Sequence, residues 1–96
     1  MNFKEFKKLK IQYNQCNIEE FKEGKALKVK DNRTILNNEN VYEVYPIASD
    51  SKRVYVICPY CNEIHIHGLN KETIPGYRMP FCESHVKNKS YYVKAK

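Results

Sequence analysis

Arg53-Val54-Tyr55-Val56-Ile57-Cys58-Pro59-Tyr60-Cys61-Asn62-Glu63-Ile64-His65-Ile66-His67-Gly68 is the stretch that decides how this chain is built. The β-branched and aromatic run from Arg53 to Ile57 reads as a strand. It leads directly into Cys58, and only Pro59 and Tyr60 separate that cysteine from Cys61, so one tight turn offers two thiolates. Beyond the turn, Asn62 to His67 alternates apolar and polar residues, the pattern of a strand returning antiparallel to the first. A period of two places His65 and His67 on the same face. The alternation also argues against a glutaredoxin-like redox motif, in which Cys-x-x-Cys opens a helix.

A second candidate ligand pair follows at Cys82-Glu83-Ser84-His85, with 20 residues between the pairs. The resulting pattern, C-x2-C-x20-C-x2-H, has the spacing of zinc ribbons and treble clefs. Thiolate and imidazole are the donors zinc prefers. Cys58, Cys61 and Cys82 are therefore the expected ligands, with His85 as the fourth and His65 or His67 as the alternative. Four protein ligands close the coordination sphere and leave no position for a reactive water, so the zinc is expected to be structural. Nothing else in the sequence supplies an obvious nucleophile or acid–base pair, and a non-enzymatic protein is expected. Cys16 has no partner and reads as a small buried apolar residue.

A chain of 96 residues is expected to form a single domain, with residues 1–25 as a helical arm and 26–96 as a β-rich part holding the zinc unit at about 53–94. Such a domain buries little apolar surface, so ligand assembly around a metal would supply folding energy. Met1-Asn2-Phe3-Lys4-Glu5 leads into charge rather than into an apolar signal stretch, and a reducing cytoplasm is the expected location. No run approaches the roughly 20 apolar residues of a membrane span. A formal net charge of +6 and a pI near 9.1 direct the protein toward acidic partners, either nucleic acid or an acidic protein surface.

Taken in order, Phe3, Phe6, Leu9 and Tyr13 recur at helical intervals, predicting an amphipathic helix over 3–13. Asn17 and Glu20 fit a capping box for a second short helix, with Ile18 and Phe21 facing inward and Gly24 ending it. From Ala26 the period changes to two. Leu27 and Val29 alternate with lysines, Asp31-Asn32-Arg33 supplies a turn, and Thr34-Ile35-Leu36 completes a predicted hairpin. Asn37 to Asn40 is a turn, Val41 to Tyr45 a strand closed by Pro46, Ser49 to Lys52 a turn, and Ser90 to Val93 a final strand. The expected fold class is α+β: one or two N-terminal helices on a small antiparallel sheet, with a zinc ribbon-like C-terminal unit.

Two resemblances bear on residues 53–94. Cys58-Pro59-Tyr60-Cys61, His65-Ile66-His67-Gly68, Gly76-Tyr77-Arg78 and Cys82 together resemble a group of small zinc-binding proteins of bacteriophages and actinobacteria. Members of that group place a His directly before the last Cys, where this chain has Phe81 and carries His85 later. That resemblance implies zinc and a mobile-element origin. The His-x-His stretch followed by Arg78, three residues and Cys82 is similar, more weakly, to HNH endonucleases with a Cys-x-x-Cys zinc site, although Ile64 stands where their metal-binding Asp would be. That second resemblance implies a metal-dependent nuclease.

The expected function is a zinc-stabilised binding module for nucleic acid or for a nucleic-acid-handling protein. Its candidate contacts are Lys52, Arg53, Arg78, Lys87, Lys89 and Lys94, with Tyr55, Tyr60, Tyr77, Tyr91 or Tyr92 for stacking. The alternatives are a phage-encoded inhibitor of a host defence or nucleic-acid enzyme and an HNH-like nuclease.

Overall fold

A computed structural model describes residues 1–50, 52–68, 76–78 and 90–94. It is a small mixed α+β fold with one short helix and nine strands among those residues. The expected ligands Cys82 and His85 and the expected contacts Lys87 and Lys89 lie outside them.

Helix α1 spans Phe3–Lys8, five residues shorter than the periodicity of Phe3, Phe6, Leu9 and Tyr13 predicts. Asn2 caps it by accepting from the Glu5 N–H at 2.8 Å. It ends because Lys10 takes a left-handed φ of 56°, which stops the helical hydrogen-bond ladder. Tyr13 still meets Phe3 and Phe6, edge to face at 5.8 and 5.2 Å, but reaches them from beyond the helix. Leu9, the remaining member of the pattern, is largely exposed.

The expected second helix is a strand. β1 (Ile18–Glu23) pairs antiparallel with β2 (Ala26–Asp31), and Gly24 occupies the first turn position at φ +63°, a conformation that glycine takes without steric cost. Along β1 only every third residue is partly buried. That spacing mimics a helix face in the sequence. Ile18 packs against the core, whereas Phe21, an odd number of residues away, lies on the opposite face of the ribbon. β2 therefore pairs backwards with β1, and not forwards with Ile35–Leu36 as the alternation suggested.

Beyond Asp31 the chain forms β3 (Ile35–Leu36), β4 (Tyr42–Val44), β5 (Pro46–Ser49), β6 (Arg53–Ile57), β7 (Ile64–Gly68), β8 (Gly76–Arg78) and β9 (Tyr91–Val93). The predicted turns share one device: Asp31, Asn37 and Asp50 each accept backbone N–H groups of the residues that follow. Pro46 opens β5 instead of closing a strand, and a bulge follows it. β5, β6 and β7 make a three-stranded antiparallel sheet with β6 in the centre. A second sheet runs in the order β3, β4, β9, β8. Its pairing is not wholly antiparallel as expected, since β9 lies parallel to β4, with Tyr42 beside Tyr91 and Val44 beside Val93.

The β5–β6–β7 sheet is the middle layer. On one face Tyr55, Ile57 and Ile64 pack with Phe3, Phe6, Val29, Ile47 and Ala48, which belong to α1, the hairpin and β5. On the other, Val54, Val56 and Cys58 pack with Val44, Tyr91 and Val93 of the second sheet. β6 is thus buried on both sides, which is why its sequence from Val54 to Cys58 is an unbroken apolar run. Phe6 is fully buried and touches Phe3, Tyr13 and Tyr55. Phe6→Ala should cost about 3–5 kcal/mol, a large part of the stability of a domain this size, read as the shift of the urea midpoint. A loss below about 1 kcal/mol would contradict this core.

Candidate metal centre

Strand β6 delivers Cys58 to the end of the middle sheet, and the backbone then turns back on itself. Asn62 N–H donates to Cys58 O at 2.9 Å, and Cys58 N–H donates to Glu63 O at 2.8 Å. Asn62 takes φ 57°, one of the left-handed positions that asparagine tolerates better than most residues. The Tyr60 N–H points at Cys58 Sγ, 3.4 Å away. The register of β6 with β7 does the rest. Val56 faces His65 and Val54 faces His67, so both histidines lie on the same face as Cys58, as their period of two requires.

Cys58 Sγ, Cys61 Sγ and a ring nitrogen of His65 lie within 4.8 Å of one another. Cys61 Sγ is 3.2 Å from His65 Nε2. With metal–donor bonds of about 2.0–2.3 Å, tetrahedral ligand atoms stand roughly 3.6–3.8 Å apart, so small side-chain rotations would close these three on one ion. Cys58 and His65 are buried and Cys61 half-buried. The donor set suits a metal: two soft sulfurs and an imidazole.

The two thiols share a proton. The hydrogen bond between them, reinforced by burial, pushes Cys58 far above the usual thiol range. The same bond, helped by His65 and the Glu63 N–H, holds Cys61 down at about 4 against the burial that opposes it. One thiolate therefore stands ready beside one thiol, and a divalent cation would displace the proton that joins them.

The knuckle is also where the three sheets meet. Val29 N–H of β2 donates to Asn62 O at 3.2 Å, and Lys28 reaches Glu63 at 3.5 Å. The Tyr60 hydroxyl donates to Ser90 O at 3.0 Å beside β9, while its ring packs edge-on against Tyr42 of β4. His67 Nε2 hydrogen-bonds to the Tyr91 hydroxyl in the space between the middle sheet and β9.

Of the expected ligands, Cys58 and Cys61 come together with His65, which with His67 was an alternative to His85 as the fourth; Cys82 and His85 lie outside the described residues. Among the candidate contacts, Lys52 is exposed, Arg53 is 3.5 Å from Asp50, and Lys94 is 3.3 Å from Glu43. Arg78 lies on β8. Tyr55 and Tyr91 are fully buried and cannot stack on a base; Tyr60 is held by Ser90 and Tyr42. Cys16 is exposed rather than buried. The sequence does not mark Tyr91 as a partner of His67, because a parallel β4–β9 pairing leaves no local signal. No protein-family model, curated protein or solved structure matches the chain.

The shared proton fixes the pH dependence. Cys58, raised, holds a proton throughout the neutral range, and Cys61 takes one up only as the pH falls through about 4. Metal affinity should therefore fall by at least about tenfold per pH unit below neutrality and more steeply below about pH 4, with a proton released per ion bound. Calorimetry in buffers of different ionisation enthalpy measures that release. Binding without proton release would contradict the thiol–thiolate pair.

Proposed function

We propose that this is a non-enzymatic binding protein in which a zinc ion, held by Cys58, Cys61 and His65, stabilises the junction of three small sheets, and that its basic surface contacts nucleic acid. The observation that carries the metal reading is the convergence of those three donors at a turn that also bonds to β2 and to the chain beside β9. Zinc fits this set because thiolate and imidazole are its preferred donors, and Cys82, expected from its spacing, would supply the fourth ligand that a closed structural site requires.

The histidines speak for a structural role. A general base acting on water must meet both water and substrate. His65 and His67 are both buried, one against Cys61 and the other against Tyr91. Neither presents an open imidazole to a phosphodiester, which favours binding over hydrolysis.

For the partner, the excess of positive charge is the support. Some of that charge is offset locally, by Asp50 at Arg53, Glu43 at Lys94, Glu20 at Lys7 and Glu19 at Lys30. Lys4, Lys8 and Lys10 are exposed on and beside α1, as are Lys22 and Lys25 around the hairpin turn. Exposed ammonium groups of this kind contact phosphates and release counterions. Titration of the zinc-loaded protein with labelled single-stranded DNA and RNA should therefore show affinity falling by about tenfold or more between roughly 50 and 200 mM salt. Absence of binding at the lower salt would overturn the nucleic-acid reading and favour an acidic protein surface as the partner.

A further inference from the structure

The segment around Gln12–Asn14 and strand β5 enclose a cleft of about 590 Å³, lined in part by Gln12, Tyr13, Asn14, Arg33, Tyr45 and Ile47. That volume lies within the range of small-molecule sites, about 300–1,000 Å³. β5 is an edge strand of the middle sheet, and the Asn14 N–H crosses to Ile47 O at 2.8 Å at one point along it.

Arg33 is the best-fixed group in the cleft. Its Nε and Nη2 donate to the two carboxylate oxygens of Asp31 at 3.0 and 2.6 Å, Nη2 also reaches Pro46 O at 3.4 Å, and its Cζ lies 4.8 Å from the centre of the Tyr45 ring. The Asp31 side chain is only 1% exposed, so this carboxylate belongs to the arginine rather than to solvent. Lys94 Nζ approaches the same ring at 5.5 Å.

Two consequences follow. Because Asp31 offsets its charge, Arg33 is a poor anchor for phosphate. Because Asp31, Pro46 and Tyr45 fix its plane, it is a rigid flat donor whose Nη1 has no hydrogen-bond partner among the described residues, with the amides of Gln12 and Asn14 nearby. The guanidinium plane backed by Tyr45, with the amides of Gln12 and Asn14 in the same cleft, matches an unpaired nucleobase, which stacks on aromatic or guanidinium planes and is read along its polar edge. We propose that this cleft is a base-binding subsite, taking one unpaired base of a single strand against the Arg33–Tyr45 stack while exposed lysines meet the phosphates. The assignment rests on the nucleic-acid reading above and adds the location and the base dependence.

The test compares an oligonucleotide with an abasic strand of the same length, using the full zinc-loaded chain and fluorescence anisotropy. Wild type should bind the base-bearing strand more tightly. Tyr45→Ala and Arg33→Lys should each weaken that binding by about tenfold, leave the abasic strand unaffected, and keep the salt slope unchanged, since no phosphate contact is lost. Gln12→Ala, at an exposed position, should weaken base-bearing binding without altering the melting temperature, and it carries the test if Tyr45→Ala fails to fold. Equal wild-type affinity for both strands, or variants that bind the base-bearing strand like wild type, would overturn the subsite while salt-dependent binding preserves the broader reading. No binding of either strand at low salt would overturn both.

Discussion

Strand β6 is covered on both faces, and everything else is arranged by what covers it. Its odd and even residues serve two different cores: Tyr55 and Ile57 hold α1, the hairpin and β5, while Val54, Val56 and Cys58 hold the β3–β4–β9–β8 sheet. A strand in that position must end somewhere both layers can reach. It ends in the Cys58–Cys61 turn, whose backbone and side chains bond to β2 on one side and to Ser90, beside β9, on the other.

That arrangement explains why a metal would matter. A two-stranded hairpin is marginal alone, and three- and four-stranded sheets of two- to five-residue strands bury little surface each. Their stability comes from being held against one another. An ion at Cys58, Cys61 and His65 would fix the turn, the start of β7 and therefore the face carrying His67, which in turn meets Tyr91. Apparent free energies of about 10–16 kcal/mol for structural zinc in small peptides exceed the whole net stability of many domains. Zinc here would act on the junction rather than on any one sheet.

The local half of this design is legible in the sequence. The Arg53–Ile57 strand, its delivery of Cys58, the return strand and the shared face of His65 and His67 all follow from alternation and from one Cys-x-x-Cys turn. The Asx turns at Asp31, Asn37 and Asp50 are equally local. What the sequence concealed is of two kinds. Ile18 and Phe21, spaced like a helix face and accompanied by a capping-box pattern, sit in a strand whose pairing with β2 through the Gly24 turn overrides the local helical signal. Long-range placement left no trace at all: the parallel β4–β9 pairing, the Tyr91 hydroxyl at His67, and the seating of Arg33 over Tyr45 join residues whose local patterns say nothing of one another's position. His65 illustrates the boundary. Spacing pointed first to His85, three positions after Cys82 and outside the described residues, while the β6–β7 register carries His65, an alternative on the same reading, to within 3.2 Å of Cys61.

The central claim is that a metal bound at this turn stabilises all three sheets together, and amide hydrogen exchange with and without zinc tests it most directly. Added zinc should slow exchange in concert at Val29 of β2, at Val54 and Val56 of β6, and at Tyr91 and Val93 of β9, with a chelator reversing all of it. Protection confined to residues 58–65, or exchange that zinc leaves unchanged, would contradict the account.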